Sequence, residues 1–259
     1  MSKLPKQHQF IDLSDYGRPI AKALAESLKN TAFTPVKMTL AFTVSGLAAI
    51  GCILNYMPWA ALFFLILKSI LDAADGELAR VKSTPSHTGR YLDSVSDIIL
   101  NLMILLSIRY VTDGSLILMF LAFFGVQLQG TLYNYYYVIL RNKYQGDTTS
   151  RIFEIDVPKA LPGEKQRTVN VLFRLYKLLY GIFDRIIYLL DPKASEGKSL
   201  PNWLMTAVST FGLGFQLLLM GLLLVAGLQH YIIPFFIGYT GMVFVFIGIR
   251  RFSLNYQKI

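Results

Sequence analysis

Leu71–Asp97 reads LDAADGELARVKSTPSHTGRYLDSVSD, and long apolar runs lie on either side of it. Four aspartates stand in this stretch: Asp72, Asp75, Asp93 and Asp97. An ionised carboxylate at membrane depth costs about 3 kcal/mol or more and persists only with partners. The spacing supplies them. On a helix over about 58–82, Asp72 and Asp75 are i, i+3 and share a face, with Gly76 and Ala79 on it as well. On a helix over about 88–111, Asp93 and Asp97 are i, i+4, with Gly89 one turn earlier. A short loop with Pro85 joins the two, so they can pack antiparallel with all four carboxylates facing one another. Hard oxygen donors in such a cluster suit Mg²⁺ or Mn²⁺, with two ions as one arrangement. The small residues let a ligand approach the helix backbone. Arg80, one turn beyond Gly76, is a fixed-charge, bidentate phosphate binder. Metal, Arg and a small-residue face together describe a site for a pyrophosphate compound.

The pattern D-x2-D-G-x2-A-R-x8-G-x3-D-x3-D resembles the signature of the CDP-alcohol phosphotransferase family. Every fixed position is present: Asp72, Asp75, Gly76, Ala79, Arg80, Gly89, Asp93 and Asp97. An ion-coupled transporter also carries intramembrane acids, and an Asp-rich prenyltransferase also binds pyrophosphate through Mg²⁺. Neither accounts for the glycines, Ala79 and Arg80 at these gaps. The resemblance implies transfer of a substituted phosphate from a CDP-linked donor to an alcohol, with release of CMP. It implies metal held by Asp72, Asp75 and Asp93, with Asp97 close enough to join and acting as general base. Gly76 and Ala79 would let cytidine lie against the helix, Arg80 would bind phosphate, and Ser86 and Gly89 complete the donor set. Thr34-Pro35-Val36-Lys37-Met38-Thr39-Leu40 is similar to the family's Thr-Pro-Asn-x-x-Thr-Leu and departs from it at Val36. That places Pro35, Lys37 and Thr39 beside the nucleotide, against the alternative of a plain helix start. A homodimer is a further implication.

The family has two branches. One joins CDP-diacylglycerol to a small polar alcohol; the other joins a CDP-linked amino alcohol to diacylglycerol and has longer chains. Six spans in 259 residues favour the first.

Composition agrees with a membrane setting. The chain is 54% hydrophobic with positive mean hydropathy, and several runs reach the ~20 residues that span a bilayer. The expected fold is an all-α polytopic bundle of six transmembrane helices plus amphipathic interfacial helices. Lys and Arg number 25 against 16 Asp and Glu. In this setting the excess reads as basic cytoplasmic loops and attraction to anionic headgroups, not nucleic acid. Cys52, the single cysteine, permits no intrachain disulfide and reads as a small buried hydrophobe. No apolar signal-peptide core lies in residues 1–30.

Taken in order, 1–34 reads as a cytoplasmic tail and juxtamembrane helix. Residues 1–16 are expected to be mobile, and 17–30 to lie at the interface with Ile20, Ala21, Leu24, Ala25 and Leu28 on one face. Residues 35–259 form the membrane domain, with spans at about 35–55, 58–82, 88–111, 114–138, 202–226 and 231–249. Lys68 lies one turn before Asp72, where it either neutralises the acidic cluster or meets the substrate phosphate. Asn101 continues the polar face of the third span by a turn. Gln127, Gln129 and Asn134 either bond neighbouring helices or line an acceptor cavity. Tyr133, Tyr135, Tyr136 and Tyr137 fit an interfacial aromatic belt. The connection 141–200 begins as loop, with Gly146, Pro158, Pro162 and Gly163. Its part 165–191 is amphipathic, with Arg174, Lys177, Asp184 and Arg185 on one stripe, and should lie in the interface plane.

The loops near 56–57 and 227–230 lack Lys and Arg, whereas both termini, the 80–90 loop and 141–200 are basic. The positive-inside rule then puts both termini and both Asp pairs on the cytoplasmic side of a cell or inner membrane. Arg141, Lys143, Arg250 and Arg251 lie at that face, where a phosphate-bearing acceptor would need cations.

Overall fold

The computed structural model describes residues 4–144, 156–195 and 200–255. Gly146 falls outside them. The described residues form ten α-helices in order: α1 (Arg18–Leu28), α2 (Pro35–Leu54), α3 (Pro58–Val81), α4 (His87–Val111), α5 (Leu116–Lys143), α6 (Gln166–Leu190), α7 (Asn202–Val208), α8 (Leu213–Val225), α9 (Gln229–Tyr239) and α10 (Met242–Asn255). Among the described residues there is no strand.

Local chemistry sets the helix starts around the site. Thr34 accepts the Lys37 N–H at 3.3 Å and Pro35 occupies the first turn of α2. Pro58 opens α3. Ser86 caps α4 by accepting the Gly89 N–H at 2.8 Å. The Ser86 cap fixes where the Asp-rich hairpin turns into α4.

Among the described residues four stretches are long and apolar enough to cross a membrane: α2, α4, α5 and Gln229–Phe252. The pair Asn202–Phe211 and Leu213–Val225 makes a fifth if counted as one bent span. α3 is 24 residues long and carries Lys68, Asp72 and Asp75 within its length. Its charged half packs inside the bundle, whereas Trp59 and Phe63 near its start are exposed. One apolar core joins Phe42, Leu65, Ile104, Leu217 and Phe236 from α2, α3, α4, α8 and α9. A second joins Tyr136, Ile187, Leu204, Phe211 and Phe246 from α5, α6, α7, α10 and the turn after α7. The outer faces carry exposed apolar side chains, Val44, Phe63, Ile117 and Phe244 among them, as a lipid-facing surface requires.

α1 is amphipathic as expected, and its buried Ala21 and Ala25 pack with Ala74 and Leu78 of α3. Residues 4–16 differ from a mobile tail. Leu4 is buried, Tyr133 donates to Asp12 Oδ2 at 2.6 Å, and the Leu13 N–H donates to Ser209 Oγ at 2.9 Å. This segment also explains why 202–226 is not one straight helix. The chain bends by 55° between Phe211 and Leu213, with Gly212 extended at φ −70 and ψ 149. Ser14 sits in that elbow. A Cβ on Gly214 would lie 2.0 Å from the Ser14 carbonyl oxygen and 2.7 Å from Ser69 Oγ. Backbone cannot yield as a flexible side chain can, so Gly214→Ala should displace the segment and cost about 1–3 kcal/mol. Thermal melting in detergent, with amide exchange over residues 9–16, checks this. Unchanged protection there would contradict it.

The tyrosines of α5 do not form a belt. Tyr135, Tyr136 and Tyr137 are buried, and their neighbours supply acceptors. Tyr136 donates to Asp191 Oδ2 at 2.7 Å and Tyr135 to the Asp191 carbonyl at 3.0 Å. A buried hydroxyl with an internal partner has no need of the membrane surface. The same Asp191 pairs with Arg250, and Arg251 donates to the Leu190 carbonyl. Both arginines therefore tie α10 to the end of α6. Gln129 bonds the Phe236 carbonyl and Thr240, and Gln216 donates to Gln129 at 3.0 Å, so this amide joins helices.

Candidate active site

Antiparallel packing of α3 and α4 brings three of the four aspartates together. One carboxylate oxygen each from Asp72, Asp75 and Asp93 lies within 4.8 Å of the others. Thr39 of α2 donates to Asp75 Oδ2 at 2.9 Å and orients it. Asp93 Oδ1 is buried and makes no hydrogen bond. Buried polar atoms are normally satisfied, so an orphaned acceptor within an acidic trio fits a divalent cation. The donor set, all carboxylate oxygen, is of the hard type that Mg²⁺ and Mn²⁺ prefer.

Asp97 stands apart from that trio. Its Oδ1 accepts from Lys68 Nζ at 2.6 Å. Lys68 is fully buried and lies 4.8 Å from the centre of the Phe42 ring. Lys68 thus neutralises the cluster, as its position one turn before Asp72 suggests, and does so through Asp97.

Three cavities open around these carboxylates. The first, about 390 Å³, is lined by Pro35, Thr39, Asp75, Gly76, Ala79, Arg80, Ser86, Gly89 and Leu161, among others. It gathers every residue expected to hold the donor except Lys37, whose side chain is exposed at the start of α2. The second, about 380 Å³, reaches from Asp72, Asp93 and Asp97 to Asn101, Gln127, Asn134, Tyr180 and Asp184. The buried Gln127 Nε2 has no hydrogen-bond partner. The third, about 320 Å³, links Asp72, Asp75 and Arg80 with Ser14, Asp15, Arg90 and Arg141. Of the four cations considered for an acceptor phosphate, Arg141 reaches a cavity and Arg250 and Arg251 are engaged elsewhere. α6 lies along α4 and α5 with Arg174, Lys177 and Arg185 exposed. Asp184 departs from that stripe and turns toward the second cavity.

Ser86 carries an unexpected partner. Its hydroxyl donates to Glu164 Oε1 at 2.7 Å, the same oxygen accepts the Thr88 N–H at 2.7 Å, and Glu164 Oε2 accepts the Leu161 N–H at 3.0 Å. Burial alone would raise the Glu164 carboxyl, but these hydrogen bonds hold it down at about 2, against 4.5 normally. A carboxylate at a helix N-terminus is favourable. Because its folded value is depressed, its contribution is complete above about pH 4.5 and fades as pH falls toward about 2. Glu164→Ala should cost about 1 kcal/mol and raise amide exchange over 158–165 and the first turn of α4. Wild-type exchange there, corrected for intrinsic rate, should stay flat from pH 8 to 5.

Sequence reasoning missed Glu164, Glu77 and the docked N-terminal segment. Glu77 occupies an unspecified position of the pattern. Glu164 and the segment act across large sequence separations, which periodicity does not report.

The profile of the family described as CDP-alcohol phosphatidyltransferase matches residues 32–247. A bifunctional IPC transferase and DIPP synthase of Thermococcus kodakarensis is 30% identical over 151 residues, which are 58% of this chain and 34% of that protein. An archaetidylinositol phosphate synthase of Aeropyrum pernix is 37% identical over 84 residues, 32% of this chain and 43% of that protein. A CDP-diacylglycerol–serine O-phosphatidyltransferase of Mycobacterium tuberculosis is 35% identical over 68 residues, 26% of this chain and 24% of that protein. The matches thus span under half the length of each relative. With the family profile covering most of its length and the aspartates in place, the chain belongs to the CDP-alcohol phosphatidyltransferase family.

Proposed function

We propose that this protein transfers a substituted phosphate, phosphatidyl from CDP-diacylglycerol, to the hydroxyl of a small polar alcohol and releases CMP. The observation that carries this is the convergence of Asp72, Asp75 and Asp93 between the cavity lined by Thr39, Gly76, Ala79 and Arg80 and a polar cavity that reaches Asp97. Six spans, counting α3, the bent α7–α8 pair and Gln229–Phe252, together with the basic loops on one side, support a reading in which both termini and this site face the cytoplasm. A lipid donor and a water-soluble acceptor meet there.

Asp72, Asp75 and Asp93 would hold Mg²⁺ or Mn²⁺, two ions by our reading. When bound, such ions neutralise the pyrophosphate and the departing CMP. Gly76 and Ala79 let the nucleotide approach α3, and Arg80 donates to its phosphate. Asp97 accepts the proton of the acceptor hydroxyl as that oxygen bonds to the phosphorus, while the bond from phosphorus to the CMP oxygen breaks. Lys68 holds Asp97 in place through one oxygen and leaves the other for the acceptor. Asn101, Gln127 and Asn134 offer hydrogen bonds to a polar alcohol.

The test is CMP release by purified protein in detergent, with CDP-diacylglycerol, Mg²⁺ or Mn²⁺ and a panel of small alcohols. We expect metal-dependent CMP with one acceptor and none after chelation. No CMP with any acceptor, together with no binding of CDP, would sink the assignment.

A further inference from the structure

Glu77 is 5% exposed and belongs to no recognised role in the motif. Its Oε1 accepts from two guanidinium groups, Arg18 Nη1 at 2.7 Å and Arg80 Nη2 at 2.9 Å. Arg18 pairs in turn with Asp15. The chain of charges thus runs from the docked N-terminal segment into the donor cavity. Asp15 and Arg80 also line one cavity together, beside Asp72, Asp75 and Gly76.

The geometry of Arg80 follows from its neighbours. A Cβ on Gly76 would meet Arg80 Nη2 at 3.5 Å, so the guanidinium folds back across the glycine notch. Glu77 holds it there. An arginine whose long stem is already ordered loses less freedom when a phosphate arrives. A carboxylate that served Arg80 alone would compete with that phosphate. Because Arg18 shares the same oxygen, Glu77 grips Arg80 less tightly and leaves it able to donate elsewhere. Arg18 is itself anchored, since Asp12 accepts from Tyr133 at 2.6 Å and Leu13 donates to Ser209 at 2.9 Å.

We infer that Glu77 is a positioning residue for Arg80, and that Arg18, reaching from the N-terminal segment, keeps Glu77 in that role. The ligand concerned is the phosphate of a cytidine nucleotide, so this rests on the transferase assignment. It makes residues 12–18 part of the donor site, which no motif residue indicates.

The experiment is CDP binding in detergent with Mg²⁺, measured by titration calorimetry on wild type, Arg18→Ala, Arg80→Ala and the double variant. Arg80→Ala should weaken binding roughly 100-fold and Arg18→Ala about 10-fold. The double variant should bind no more weakly than Arg80→Ala alone, because Arg18 acts only through Arg80. Arg18→Lys, which keeps the charge, should recover part of the loss. Should Arg18→Ala fail to fold, Glu77→Gln is expected to show the same non-additivity with Arg80→Ala. Losses that multiply, or an Arg18→Ala protein that binds normally, overturn the relay while leaving the transferase assignment intact. Wild-type protein that does not bind CDP overturns both.

Discussion

Asp93→Asn is expected to lower CMP release by about a thousandfold or more while leaving the ligand-free protein no less stable. The two halves of this expectation have one cause. Asp72, Asp75 and Asp93 bring carboxylate oxygens within 4.8 Å of one another, and Asp93 Oδ1 has no hydrogen-bond donor to offset the crowding. Without a cation the three repel. Replacing one by a neutral amide relieves repulsion, so the melting temperature in chelator should hold or rise. The same change removes a metal ligand, and several kcal/mol of charge stabilisation go with it, each 1.4 kcal/mol being about tenfold in rate. A third readout follows: wild type should melt later when Mg²⁺ or Mn²⁺ is added, and Asp93→Asn should not. Retention of a tenth of wild-type turnover would contradict the ligand role. A variant that melts well below wild type in chelator would show that Asp93 is held by something other than its acidic neighbours.

The parts of this site that were legible in sequence are those set by short spacing. Asp72 with Asp75, and Asp93 with Asp97, share helix faces through i, i+3 and i, i+4 repeats, and a loop of a few residues forces their helices side by side. Thr39 was placed near the nucleotide by its motif, and the structure shows why the position matters: its hydroxyl orients Asp75. What escaped depends on distant pairing. Leu13 meets Ser209 across 196 positions, and nothing in a polar, charged N-terminus announces that it will fill an elbow at Gly212. The tyrosines of α5 read as a belt because side-chain type alone does not reveal that Asp12 and Asp191 wait inside the bundle. α6 was recognised as amphipathic, yet periodicity sorted Asp184 with its exposed basic neighbours. Packing against α4 and α5 turns that residue inward. The span count shows the same limit. α3 carries five charges, Lys68, Asp72, Asp75, Glu77 and Arg80, that a hydropathy criterion penalises, although Lys68 and the aspartates face one another and not lipid.

Asp97→Asn should reduce turnover about 10²- to 10⁴-fold, the range that a positioned general base supplies, with little change in CDP affinity. Activity alone will not prove the role, because Asp97 is also the counter-ion of Lys68. Lys68 is fully buried, and its Nζ lies 2.6 Å from Asp97 Oδ1. Removing one partner of a buried pair leaves an uncompensated charge and costs about 3 kcal/mol or more. Asp97→Asn should therefore lower the melting temperature as well as the rate, and a sceptic could credit the lost rate to lost structure. The double variant Lys68→Met, Asp97→Asn separates the two. A buried ion pair replaced by an apolar and a neutral residue of similar volume is close to neutral in stability, so the double variant should melt near wild type. Turnover should nevertheless stay as low as in Asp97→Asn, because no carboxylate remains to take the acceptor proton. Lys68→Met alone should keep more turnover than either Asp97 variant, since its base is intact though less firmly held. If the double variant recovers both stability and turnover, Asp97 serves Lys68 and not the acceptor, and the proton must go to another of the site's carboxylates.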